Sequence, residues 1–288
     1  MKIFHFFQQI QNSLTSPFIP CLTLCFKKLP IFNQNIICSK ILQIEPIHSE
    51  IIVQIDENSS INYLGIIQFE NHEIKLLSND SQLPEHLIET CIQTSHWQPE
   101  FKNKVLSTNA TITLVYSGKS IDPVENYLAL YKVASVFYDD NLLGIINEPA
   151  WCYHPAGLLP KIIFNNMINL CRNSPPFLFW TGFIKTPLDL QTPFHKHQTT
   201  CFFTKGHHVF GIPDLVYYSE KADPMRIKKL FNDIIEYAWF EKKELQPGDY
   251  IGFIDHEVYE LIEPEENLEF LESPTKTLFL KPHKDNYN

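Results

Sequence analysis

Arginine is nearly absent from this chain: 288 residues hold only Arg172 and Arg226, and the net charge is -10. Proteins that bind nucleic acid depend on basic patches and on guanidinium forks that reach phosphates and guanine edges. So little arginine in an acidic chain excludes that class, and no nucleic-acid partner is expected. Redox and zinc signatures are missing too. Seven cysteines occur (Cys21, Cys25, Cys38, Cys91, Cys152, Cys171 and Cys201), and no two form a CxxC pair. That removes zinc ribbons and thioredoxin-type centres. Their odd number, and their place in apolar runs such as Pro20-Cys21-Leu22-Thr23-Leu24-Cys25-Phe26, mark them as reduced core residues of a reducing compartment.

Long apolar runs are lacking as well. None approaches the roughly 18 residues that cross a bilayer, so no membrane span is expected and the cytoplasm is the expected location. Lys2 followed by Ile3-Phe4-His5-Phe6-Phe7 opens like a signal peptide, but Gln8, Gln9, Gln11 and Asn12 interrupt it. Ile3, Phe6, Phe7, Ile10 and Leu14 share one helical face, so residues 1–16 read as a short amphipathic helix. It lacks the basic face of a membrane-surface helix.

What remains is globular in composition, 44% hydrophobic and 19% charged, with ample apolar content for a core. Two α+β lobes are expected after the first helix, over residues 17–106 and 107–288. In the first, strands at Phe18–Phe26, Glu50–Asp56, Ile61–Phe69 and Glu73–Leu77 precede a helix opened by Pro84. The second starts with the strand Thr111–Tyr116 and a helix capped by Asp122 with Pro123 at its first position. A strand Leu142–Ile146, a helix from Leu158 to Leu170, and strands Phe177–Ile184, Thr199–Thr204 and Leu215–Tyr218 follow. Pro224 then opens the clearest amphipathic stripe: Ile227, Leu230, Phe231, Ile234, Ile235, Ala238 and Trp239. Clustered strands interrupted by helices predict an α+β fold with largely antiparallel sheets.

Within residues 80–255 the strand ending near Tyr116, the Asp122-Pro123 helix start and Leu143-Gly144-Ile145-Ile146-Asn147 form a pattern. It continues with an aromatic strand at Trp180 and with Thr204, Gly206, Phe210, Gly211, Pro213 and Asp214. This pattern resembles the bacterial DUF4261 domain family. Glutamate is more usual there at the position of Asp214, and an apolar residue at that of His207. The resemblance implies no activity, catalytic residue or cofactor.

Four groups of residues carry candidate chemistry. Glu148, Cys152 and His154 follow a strand, where a thiol beside an imidazole makes a nucleophile for a hydrolase or transferase. Pro149 and Pro155 equally suit a structural bend there, with Trp151 and Tyr153 closing the core. His195, His197, His207 and His208 are metal-ligand candidates, since a His-x-His on a strand points both rings to one side. Lys196 and Lys205 among them oppose a cation, and no cofactor is expected. Thr204, Gly206, Phe210, Gly211, Pro213, Asp214 and Trp180 are candidates for a binding loop and surface, or for a scaffold bend and core. Ser117-Gly118-Lys119-Ser120 resembles a phosphate loop, but the glycine five positions earlier is replaced by Thr113. The expected function is therefore a non-catalytic binding or regulatory module. Its acidic balance suits a basic protein partner, as for an immunity or inhibitor protein.

Overall fold

The computed structural model describes residues 19–44, 50–55, 63–163, 167–188, 199–219, 221–252, 257–264 and 269–283. The amphipathic helix expected over residues 1–16 lies outside them. Strands β1 (Cys21–Phe26), β5 (Ala110–Tyr116) and β6 (Leu142–Asn147) are buried along their whole length. Both faces of their sheet are covered, which explains why these strands are continuous apolar runs without alternation. One face meets α1 (Gln34–Ile44) and α4 (Pro123–Val136). The other carries a smaller cluster in which Cys25, Leu143, Ile146 and Tyr153 pack against Leu87, Cys91, Ile92 and Val105. Those last four belong to α2 (Glu85–Leu87), its π-helical continuation Ile88–Gln93, and α3 (Pro99–Val105).

With β2 (Ile52–Ile55), β3 (Tyr63–Phe69), β4 (His72–Asn79) and β7 (Cys152–Pro155) the first sheet has seven antiparallel strands, ordered β2-β3-β4-β5-β1-β6-β7. Because β5 sits between β4 and β1, residues on both sides of the expected lobe boundary at 106/107 share this sheet. The second sheet comprises β8 (Gly182–Leu188), β9 (Thr199–Lys205), β10 (Asp214–Ser219), β11 (Tyr250–Gly252), β12 (Val258–Ile262) and β13 (Thr277–His283). Its order is β11-β12-β13-β10-β9-β8, antiparallel except for the parallel β10–β13 pair. The fold is α+β with two antiparallel-rich sheets.

Helix α4 starts as its sequence dictates: the Asp122 carboxylate accepts from the Val124 amide (2.9 Å), with Pro123 at the first position. Helix α8 (Pro224–Phe240) repeats the device with Asp223 and Met225 (3.0 Å), and buries the expected stripe from Ile227 to Ala238. Two expectations are corrected. The first four residues of the strand expected over Phe177–Ile184 form a helical turn, α7 (Phe177–Trp180), closed by Thr181 N donating to Phe177 O (2.8 Å). Short apolar runs fit either state, and Pro176 sets the start of the turn. The helix expected from Leu158 to Leu170 consists of a 3-10 turn (Ala156–Leu158), α5 (Leu159–Ile163) and α6 (Met167–Asn173).

One core runs through both sheets, and its centre is aromatic. Tyr127 of α4, Trp180 of α7 and Phe210 stack nearly parallel, with centroids 5.3 to 6.1 Å apart. The sheets also meet backbone to backbone. The 3-10 turn Glu148–Ala150, at the end of β6, presses Ala150 against Gly182 and Gly206. A Cβ on Gly182 would lie 2.0 Å from the Ala150 carbonyl oxygen, and one on Gly206 would lie 2.7 Å from the Ala150 Cβ. Gly206 also has φ +96, where a side chain is strained.

Gly182→Ala is therefore expected to destabilise the fold by about 1–3 kcal/mol through overpacking. Gly157→Ala, whose added methyl meets nothing within 4 Å, should change stability by less than about 1 kcal/mol. Urea denaturation of both variants checks this; equal midpoints would remove the joint from the account.

Candidate functional site

Strand β7 places Cys152 and His154 two residues apart, so both side chains leave the same face. Cys152 Sγ lies 3.2 Å from His154 Nε2. The imidazole stacks flat on Phe179 (3.8 Å, 3°), and its Nε2 donates to the Phe179 carbonyl (2.7 Å). A carbonyl only accepts, so Nε2 carries the hydrogen and offers no lone pair to the thiol. The basic nitrogen, Nδ1, is buried and has no partner among the described residues. Burial pushes the Cys152 thiol up to about 12 and the imidazole down to about 4. A neutral pair results, where a nucleophile needs a thiolate. Glu148 belongs to a different contact: its carboxylate stands 3.5 Å from His86 Nε2, and burial raises its pKa against the pull of that histidine. The three candidates thus form two separate contacts.

The glycine-rich bend closes inward. Residues His207–Phe210 make a 3-10 turn bounded by Gly206 and Gly211, both with positive φ. Thr204, Gly206, His207, His208, Phe210, Pro213, Asp214 and Trp180 are all buried, whereas Gly211 is exposed. These residues therefore shape the interior, and the bend reaches the surface only at Gly211 and, in part, at Val209. Asp214 is the hub. Its Oδ1 accepts from the His207 amide (3.2 Å) and the Thr204 hydroxyl (3.4 Å), and Thr204 Oγ1 in turn accepts from the Leu215 amide (2.8 Å). Burial pushes the Asp214 carboxyl up, but His208, His207 and Ser273 outweigh it and hold it below its usual value. Burial drives His207 down to about 4 against the pull of Asp214 and of the Pro213 carbonyl. It also lowers Lys205, whose ammonium donates to the Glu272 carbonyl and sits over the Trp151 ring (5.2 Å). Among the described residues, no group of three or more His, Cys, Asp or Glu side chains is arranged to hold a metal. His195 and His197 lie outside those residues.

A groove missed by the sequence reading opens where the β3–β4 turn meets the β5–α4 connection. It encloses about 370 Å³ and is lined by residues including Glu50, Gln68, Glu70, His72, Glu73 and Lys119. Three carboxylates face one lysine there. The Ser117-Gly118-Lys119 segment is bound down as a wall: Ser117 N donates to Glu73 O (2.8 Å) and Lys119 N to Asn71 O (2.9 Å). Those two amides are spent, so the loop does not cradle phosphate. Glu73 is held at both oxygens, by the Ser117 hydroxyl (2.7 Å) and the Gln68 amide (2.6 Å). The Ser117 bond, with Gln68 and Lys75, keeps its carboxyl below the usual range despite partial burial. Behind it the His72 Nδ1–Tyr116 hydroxyl bond (2.9 Å) is buried. The groove draws on segments 50–52, 68–73 and 117–119, and no local spacing relates them. Glu70 and Glu73, in and after the short gap between the strands expected at Ile61–Phe69 and Glu73–Leu77, were its one sequence signal.

No family model matches the chain, and neither a curated protein nor a solved structure shows significant similarity to it. Among the described residues, no helix is long and apolar enough to cross a membrane.

The buried imidazoles set an acid limit. His154 and His207 titrate near 4 when folded and near 6.5 when unfolded, so the unfolded chain binds more protons between those values. Stability is complete above pH 6.5 and falls as pH drops toward 4, by on the order of 3 kcal/mol for each histidine at pH 4. Asp214, lowered in the fold, adds loss in the same direction below its unfolded value of 3.8. Melting temperature should stay level from pH 8 to 7 and decline steadily below 6.5. A flat profile down to pH 4.5 would contradict the assignment.

Proposed function

We propose that the chain is a binding module, not a catalyst, and that it takes a cationic side chain of a basic protein partner in the groove beside the β3–β4 turn. The observation that carries this is Glu73: neutral donors hold both its oxygens and keep it ionised within a cavity it shares with Glu50 and Glu70. A carboxylate positioned in advance loses little entropy when it captures an ammonium or guanidinium. The overall charge of -10 speeds the approach of a basic partner. A regulatory or inhibitor-like role fits this chemistry. Membership of DUF4261 belongs to the same proposal and brings no activity with it. The rival reading, a cysteine-dependent hydrolase or transferase, is favoured by the 3.2 Å Cys152–His154 contact and opposed by the direction of the imidazole hydrogen.

A labelled lysine- and arginine-rich decapeptide is expected to bind saturably, more weakly as salt rises, and at least fivefold more weakly to Glu70→Gln/Glu73→Gln. Binding indifferent to those substitutions sinks the groove. Iodoacetamide should label Cys152 no faster than Cys38. Tenfold faster labelling, with a turnover abolished by Cys152→Ser, would replace the proposal with the cysteine enzyme.

A further inference from the structure

The groove beside the β3–β4 turn holds charge of both signs, and Glu73 is pinned there by the Ser117 hydroxyl (2.7 Å) and the Gln68 amide (2.6 Å). Lys119 lines the same cavity and is exposed, and its ammonium makes no hydrogen bond or ion pair with any described residue. Its backbone, by contrast, is fixed. The Lys119 amide donates to the Asn71 carbonyl (2.9 Å), and Ser117 N to Glu73 O (2.8 Å). Between them Gly118 is pressed on the turn: a Cβ there would lie 2.6 Å from the Tyr116 hydroxyl and 2.7 Å from Asn71 O. The lysine thus stands two residues from the serine that holds Glu73, a span of at most about 7 Å between their Cα atoms. A purely cationic ligand is attracted by Glu73 and repelled by Lys119, whereas a ligand that also carries an anion is attracted by both.

On the reading that the groove binds a cation, we propose that the residue it takes is the carboxy-terminal lysine or arginine of the partner, with the side-chain cation on Glu73 and the terminal carboxylate on Lys119. Two points favour a chain end. The cavity of about 370 Å³ is near the small end of the ~300–1,000 Å³ range of ligand clefts, which suits one residue better than a segment passing through. A terminal basic residue also carries both charges itself, so seating one charge orders the other at little further cost. Capture of a terminal carboxylate is a recurring way to recognise a chain end. Lys119 then sets specificity by repulsion as well as attraction: it penalises internal cationic residues that Glu73 alone would accept.

Two forms of one labelled basic decapeptide ending in lysine, the free acid and the amide, separate this inference from the groove itself. The acid carries one more negative charge, so the protein's net charge of -10 on its own favours the amide. The acid is nevertheless expected to bind the full chain about threefold or more tightly. Lys119→Gln should remove that preference, weakening the acid by about threefold and leaving the amide unchanged or tighter. The melting temperature should not move, because the ammonium holds nothing in the fold. Lys104→Gln, on α3, should alter none of these. Equal binding of acid and amide, both weakened by Glu70→Gln/Glu73→Gln, refutes the terminal contact and leaves the groove standing. A preference that survives Lys119→Gln refutes it too. Peptides indifferent to the glutamate substitutions remove both readings. An amide whose internal lysine precedes aspartate, binding as well as the free acid, would overturn the chain end in favour of an internal sequence. Free lysine competing as strongly as the acid peptide would overturn it in favour of a small molecule.

Discussion

The two sheets hold their relation because Ala150 fits between Gly182 and Gly206 with no room for a further carbon. Much else follows from that contact. Gly206 leads directly into the His207–Phe210 turn, so the joint fixes where Phe210 enters the stack with Trp180 and Tyr127. Trp151, the next residue after the wedge, is driven to φ 50, an uncommon setting for a bulky side chain. Phe203 and the Lys205 ammonium hold its ring there. The turn at the end of β6 thus serves as the socket of the second sheet.

Most residue types that suggest chemistry are engaged in the interior. Burying an unpaired charge is costly, and the Asp214 hub answers that cost with a backbone amide, a hydroxyl and two imidazoles, near the Lys205 ammonium. His154 meets the same demand differently, staying neutral and giving its one hydrogen to a carbonyl. A nucleophile and its base need the reverse arrangement: partial solvation, and a lone pair turned toward the thiol. Glu73 differs from all of these in facing a cavity while neutral donors fix it.

The architecture could be read where one local rule settled it. Asp122-Pro123 and Pro224 announced their helices through start signals, and the strongly periodic stripe of α8 left no alternative. Reading failed where an apolar run carried no period, as at Phe177–Trp180, where the preceding prolines decided for a turn. Candidate sites were legible as residue types but not as contacts. Cys152 and His154 were expected past the end of a strand, where β7 instead sets both on one face, and the direction of the imidazole hydrogen depends on Phe179, which is distant in sequence. The groove was the hardest to foresee, because it is assembled from segments joined only by sheet pairing.

The parallel pairing of β10 with β13 bears on how the protein is made. Residues 214–216 hydrogen-bond to residues 277–279, and β13 also pairs with β12. The last strand among the described residues is therefore an inner plank of its sheet. Until it leaves the ribosome, β10 keeps one edge bare while the described strands of the first sheet, all made by residue 155, can already close. Synthesis then passes through a half-built intermediate with an open apolar strand edge, the kind of surface on which chaperones act and aggregates begin.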